Sequence, residues 1–417
     1  ALRLSGCRNA VSKRHGQVSQ KMWRSLWPDL PEDQVPIDYV TNGVHVPTWI
    51  EPKMKLLLDK YLGVDWPDKH DDPAIWQHLD NIPDTELWQT HYWLKVKLID
   101  AIRERARLRW ADGGGSSSVM LAGGAFLDPS VLTLGLARRF ATYNRALLIV
   151  RDLERLKKHL KDRWRPIQII IAGKAHPADQ AGQALIQEWL HFIRRPENRP
   201  HIIFLSDYDM LLAEHLVQGV DVWLNTPRRP WEASGTSGMK VLVNGGINLS
   251  VLDGWWAEAY TPEVGWALGD DQEHGNDPAW DAAEAEALYN LLEREVIPEF
   301  YARDEDGIPT AWVARMRESM ARLAPRFSAD RAVREYTEQH YLPAAATYRE
   351  RAADQGTLGL QMVSWQHALG QKWAALRFGE VKVETDREQH IFQVEVYLND
   401  LDPNMVRVEL YADRVNG

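Results

Sequence analysis

Short apolar strands alternating with helical stretches through the middle of this 417-residue chain predict an α/β fold on a doubly wound parallel sheet. Two further observations complete the outline. Leu87, Leu94, Leu98 and Ile102 recur at helix-compatible spacing before the alternation begins, and Val381, Val383, Phe392, Val394 and Val396 alternate with polar residues after it. A helical segment should therefore precede the sheet domain, and a small β module should follow it. The expected divisions are residues 1–110, 111–355 and 356–417.

Taken in order, residues 10–27 read as a polar amphipathic helix and 84–109 as a longer one, so that 1–110 resemble the tail of a helical region. Residues 112–118, with Gly113-Gly114-Gly115 and Ser116-Ser117-Ser118, mark a boundary or surface loop. The run 131–136 then leads to a helix over 143–159, the isoleucine-rich run 166–172 to a helix over 179–194, and the run 201–205 to a helix after Tyr208. Parallel strands covered on both faces read as apolar runs of this kind. Ligands of such sheets lie outside the carboxyl ends of the strands, so the loops beginning near Arg138, Gly173, Ser206 and Asn225 should converge on one crevice. Residues 275–355 return to helix, and a further alternation, Val406, Val408 and Leu410, belongs to the β module. The chain starts at Ala1 rather than Met and stops at Gly417 after a strand-like run, so both ends look cut.

Composition narrows the function classes. With 49 basic against 59 acidic residues the net charge is -10, which offers nucleic acid no general attraction. The single cysteine, Cys7, allows neither an internal disulfide nor a cysteine metal cluster, and the 14 histidines show no HExxH spacing. No export signal or membrane-length apolar run is visible, so a cytoplasmic protein without membrane or nucleic-acid partners is expected.

Three segments can carry chemistry. The run Glu232-Ala233-Ser234-Gly235-Thr236-Ser237-Gly238-Met239-Lys240 places glycines and hydroxyls ahead of a helical stretch, which suits either a phosphate at a helix start or an ordinary Ser/Thr cap. Lys240, four residues after Thr236, would share its helix face. An amine there is compatible with a pyridoxal phosphate linkage or with a solvated helix lysine. The adjacent Arg138 and Arg139, within Gly135–Arg145 at a strand's carboxyl end, suit two nearby anions or surface ion pairing. Ile171-Ala172-Gly173-Lys174-Ala175-His176-Pro177 places a further cation, Lys174, at a neighbouring strand end, or is an ordinary loop.

Together with Tyr39-Val40-Thr41-Asn42-Gly43 and Leu252-Asp253-Gly254-Trp255-Trp256-Ala257-Glu258, these runs resemble the α-glucan phosphorylases, and most closely their shorter bacterial and archaeal type. The resemblance covers most of the chain and leaves the last sixty or so residues outside. It implies a GT-B-like architecture, of which this chain would be the C-terminal half. It also implies pyridoxal 5′-phosphate as cofactor, and reversible, retaining phosphorolysis of α-1,4-glucan or maltodextrin ends by inorganic phosphate to glucose 1-phosphate.

Residue by residue, Lys240 matches the family's cofactor lysine, Thr236 and Arg138 match contacts to the cofactor phosphate, and Trp49 and Tyr208 match residues beside the cofactor. Arg139 matches a ligand of substrate phosphate, and Glu232, Ser234, Gly235 and Asn42 match sugar contacts. Asn144 stands where the family usually has Lys, which removes a charge that Arg145 or Lys174 would have to replace. Family members are about twice this size, so a chain without the other lobe is expected to lack one wall of the sugar site. Association into a homo-oligomer is compatible with the family. The alternatives are a nucleotide-sugar glucosyltransferase of the glycogen or starch synthase type, which has no need for Lys240, and an inactive glucan-binding fragment.

Overall fold

The strand Ile167–Ala172 consists of Ile-Gln-Ile-Ile-Ile-Ala with every residue buried, and Leu132–Ala137 is buried along its whole length too. Strands covered on both faces need apolar residues at every position, which is why period-two alternation is missing from them. In the computed structural model, which describes residues 2, 5–111, 126–386 and 389–409, these strands form the centre of a six-stranded parallel sheet. The model has two compact units, Ala1–Thr337 and Glu338–Gly417.

In the first unit, β1 (Asn9–Ala10) pairs in parallel with β2 (Asp38–Tyr39). The main sheet contains β3 (Leu132–Ala137), β4 (Ile167–Ala172), β5 (Ile202–Leu205), β6 (Val222–Asn225), β7 (Ile247–Val251) and β8 (Gly265–Leu268). Its order is β5-β4-β3-β6-β7-β8, with Leu132 to Ala137 opposite Ile167 to Ala172. The order reverses direction between β3 and β6, and a doubly wound sheet opens its crevice at the carboxyl side of that switch. Arg138 follows β3 there, and Thr226 follows β6.

The helix Asp84–Ala111 buries Leu87, Leu94, Leu98 and Ile102, the spacing read from the sequence. Leu98 and Ile102 share an apolar cluster with Leu212 and Leu216 of the helix Met210–Gly219. Polar anchors hold the long helix to the amino ends of the strands. Asp221 meets His91 Nε2 at 3.1 Å, accepts from Lys95 Nζ at 2.5 Å and from the Thr133 amide at 2.7 Å. Burial acts to raise the Asp221 carboxyl, but the Lys95 and His91 charges and hydrogen bonds outweigh it and hold the group below its ordinary range. No helix among the described residues is long and apolar enough to cross a membrane.

Several sequence expectations shift. The helix expected over 10–27 is Lys13–Trp23, capped by Ser12, because Asn9 and Ala10 are used as β1. The stretch 143–159 is not one helix: two 3-10 turns, Thr142–Asn144 and Leu148–Val150, precede the α-helix Leu153–Leu160, which Asp152 caps. Arg145 interrupts it with φ 43°, turning its guanidinium into a buried set of partners described below. The loop expected at 112–118 lies outside the described residues. The return helices in this unit include Pro278–Leu291, Thr310–Leu323 and Ala329–Tyr336.

In the second unit, the helix Leu342–Lys372 leaves helical geometry between Ala353 and Gly356. An antiparallel hairpin of β9 (Arg377–Asp386) and β10 (Gln389–Tyr397) follows, with Val383 opposite Phe392 and Val381 opposite Val394. The third alternation expected in the β module is not a strand at Val406 or Val408, and Leu410 lies outside the described residues.

Candidate functional site

Backbone geometry brings the ends of β3 and β4 together: the Arg138 amide donates to the Ala172 carbonyl at 3.2 Å and the Phe140 amide to the Lys174 carbonyl at 2.9 Å. The Arg138 side chain turns across the switch point. Its guanidinium hydrogen-bonds the Asn225 side-chain oxygen at the end of β6 and pairs with the Glu232 carboxylate. Asn225 Nδ2 donates onward to Ser250 Oγ on β7 at 3.2 Å. Charge is thereby focused where three neighbouring strands end, in a partly dehydrated setting that strengthens each interaction.

The loop 227–236 carries Glu232 into this crevice. Its amide donates to Asp253 Oδ2 at 2.9 Å, the Ala233 carbonyl accepts from Ser12 Oγ at 2.6 Å, and the Ser234 carbonyl accepts from the Trp255 amide at 2.9 Å. Gly235 follows at φ 89°, a conformation that a side chain would strain. Thr236 then precedes the short helix Ser237–Leu242, without a side-chain capping bond.

Lys240 lies on that helix, half-buried, with Nζ 4.1 Å from the centre of the Trp49 indole. Burial lowers its pKa, and among the described residues no carboxylate pairs with it. Trp49 is fixed by its carbonyl, which accepts from Asn244 Nδ2 at 2.9 Å. Tyr208 packs against the same apolar cluster as Trp49, and burial pushes its hydroxyl pKa up.

The remaining sequence-selected residues are less tightly joined. Arg139 and Lys174 are exposed at the strand ends, and among the described residues no hydrogen bond or ion pair links either side chain to the loop 227–236. The Asn42 backbone is fixed, its amide donating to the Val11 carbonyl at 3.0 Å and its carbonyl accepting from Arg331 at 3.2 Å. Asn144 is buried, and its Nδ2 donates to the Arg139 carbonyl at 2.6 Å. Its amide thus braces the backbone that carries Arg139. Arg145 does not replace the missing cation: it is buried and bound to Asp281, Glu284 and the carbonyls of Thr226 and Pro227.

Sequence reasoning did not single out Asn225, Ser250 or Asp253 as site residues. Asp253 had a signal, as part of the Leu-Asp-Gly run, but its role depends on a partner 21 residues earlier. Burial pushes its carboxyl up to about 6, helped by the nearby Glu232 charge and opposed by the hydrogen bond from the Glu232 amide and by the Arg229 charge.

On the residues of this crevice and its loop, Arg138 Nε, Ser234 Oγ and Asp253 Oδ1 are buried polar atoms without a hydrogen-bond partner among the described residues. Folded proteins satisfy most such groups internally, so this grouping is chemically suited to a polyoxygenated, anionic ligand. A lysine with lowered pKa and no counter-ion, above an indole face, suits covalent attachment of a flat aldehyde cofactor.

A family model described as carbohydrate phosphorylase matches residues 4–266. The glycogen phosphorylase of Aquifex aeolicus is 49% identical over 341 residues, 82% of this chain and 48% of that protein. The glycogen phosphorylase of Mycobacterium tuberculosis is 42% identical over 422 aligned residues, 100% of this chain and 49% of that protein. The maltodextrin phosphorylase of Thermococcus litoralis is 40% identical over 413 residues, 99% of this chain and 48% of that protein. The chain thus spans about half the length of the curated relatives it matches. Full coverage by the mycobacterial relative overturns the expectation that the last sixty residues lie outside the resemblance.

Proposed function

The chain belongs to the carbohydrate phosphorylase family, and from that premise we propose that it is the cofactor-bearing half of an α-glucan phosphorylase. The reaction is reversible, retaining phosphorolysis of α-1,4-glucan or maltodextrin ends by inorganic phosphate to glucose 1-phosphate, with pyridoxal 5′-phosphate as cofactor. The larger reading is a GT-B-like enzyme in which 1–110 close the first lobe, 111–355 form the second and 356–417 extend it. A cytoplasmic location and self-association go with it.

The observation that carries the proposal is Lys240: half-buried, over Trp49, without a carboxylate, on the helix that follows the Glu232–Gly235 turn. Lys240 would anchor the cofactor, with Trp49 and Tyr208 beside it and Thr236 and Arg138 toward its phosphate. When bound, the cofactor supplies a phosphate monoester whose second pKa of about 6 allows proton exchange near neutral pH.

The chain's own groups would do the rest. Arg138 and Glu232 pair with each other in this structure, so to serve these ligands Arg138 would exchange a carboxylate for a phosphate oxygen and Glu232 a guanidinium for a sugar hydroxyl. Exposed Arg139, with Lys174 at the next strand end, would hold the substrate phosphate. Glu232, Ser234, Gly235 and Asn42 would orient the glucosyl unit. Positioning and electrostatics of this kind stabilise a developing oxocarbenium charge without a protein nucleophile.

The deciding experiment is a pyridoxal absorbance spectrum of the purified chain, then borohydride reduction and peptide mapping. The pyridoxyl group is expected on Lys240, and Lys240→Ala is expected to lose cofactor retention. An unchanged pyridoxal spectrum in that variant would refute the assignment.

A further inference from the structure

Three consecutive residues after β7 grip the turn that carries Glu232 and Ser234. Asp253 Oδ2 accepts the Glu232 amide at 2.9 Å, and the Trp255 amide donates to the Ser234 carbonyl at 2.9 Å. Between them Gly254 has φ 53°, and a Cβ there would lie 2.4 Å from the Ser234 carbonyl oxygen and 3.0 Å from that of Glu232. The contact is backbone against backbone, open only to glycine. The grip is anchored in turn: the Asp253 amide donates to the Val251 carbonyl at 2.8 Å, the Leu252 amide to the Leu268 carbonyl at 2.9 Å, and Arg229 donates to the Leu252 carbonyl at 2.8 Å.

Asp253 is 2% exposed, and its Oδ1 has no partner among the described residues. Burying a carboxylate with half its hydrogen-bonding capacity unmet costs stability, so its contribution has to be sought in what it holds.

Resting on the functional reading above, we propose that Asp253 is a positioning residue for glucosyl recognition: ionised, it fixes the Glu232–Gly235 turn, and on protonation it lets that turn relax. A charged acceptor holds an amide more strongly than a neutral one. The charged groups around it are Glu232 and Arg229 of the loop, with Arg138 acting through Glu232. Asp270, Asp271 and Arg14 act through Arg229. Burial and Glu232 bring the proton's departure to about pH 6.

Two readouts on the cofactor-loaded chain, between about pH 5 and 8, test this. Hydrogen exchange at the Glu232–Gly235 amides, divided by the intrinsic rate, reads the turn without substrate. It should quicken below about pH 6 in the wild type and be fast throughout in Asp253→Ala. It should be independent of pH in Asp253→Asn, which keeps an acceptor but cannot titrate. D-Glucose, a probe with no ionisation of its own in this range, reads recognition. Its affinity should fall roughly tenfold below about pH 6 in the wild type, fall equally at every pH in Asp253→Ala, and stay level in Asp253→Asn.

An acid limb that persists in Asp253→Asn, or wild-type exchange and affinity in Asp253→Ala, overturns the proposal. A wild type that shows the exchange switch yet carries no reducible pyridoxyl group on Lys240 overturns the functional reading, and with it the role in recognition. Intact tryptophan fluorescence in the variants checks that they are folded.

Discussion

At the amino end of the sheet, both oxygens of Asp221 are engaged, by His91 on one side and by Lys95 and the Thr133 amide on the other. At the carboxyl end, Asp253 has one oxygen bound to the Glu232 amide and the other without a partner among the described residues. Both carboxyls are buried beside the same sheet, yet the surroundings hold Asp221 below its ordinary range and push Asp253 up to about 6. The first cluster is closed on itself and ties a helix to strands. The second is open, and openness in a buried site marks groups committed to something other than stability.

That contrast can be broken by stability measurements. The largest effect is expected from Asp221→Ala, which leaves Lys95 buried without a counter-ion. Urea denaturation should show a loss of about 3–5 kcal/mol. A lowered carboxyl contributes stability above its unfolded pKa and loses it as pH falls through the folded value, so this contribution should survive down to about pH 4.

Asp253 has the opposite sign. Its raised pKa means that a cost is present above about pH 6 and is relieved as pH falls toward an ordinary aspartate pKa of about 3.9. Asp253→Asn should therefore stabilise the fold at about pH 7, by on the order of 1–3 kcal/mol, and should be neutral near pH 4. Equal effects at the two pH values would erase the distinction between the two carboxyls. The smallest effect is expected from Arg138→Ala. Its pair with Glu232 retains some exposure, so denaturation should register only about 1 kcal/mol while, on the proposed function, retention of pyridoxal phosphate is lost.

Much of this organisation was legible in the sequence because it is local. The isoleucine run of β4 and the spacing of Leu87, Leu94, Leu98 and Ile102 need no distant partner, and the arginines after β3 fall where a strand must end. Elements set by distant residues were not legible. The helix expected over 143–159 breaks at Arg145 because its partners Asp281 and Glu284 lie 136 and 139 residues away. Asn144 reads as a lost charge in the sequence, whereas in three dimensions it is a buried brace for the Arg139 carbonyl. Lys174 carries a legible cation, but its placement at an exposed strand end follows from the sheet and not from the Gly-Lys pair.

The hairpin β9–β10 has a practical consequence. Val381, Val383, Phe392 and Val394 share one of its faces, with exposures of 56%, 53%, 48% and 40%, and the two strands have no third neighbour among the described residues. A ribbon with greasy side chains and unpaired edges is a template onto which further chains can add. Light scattering of the purified polypeptide is therefore expected to grow with concentration, and to grow less when those four side chains are made polar.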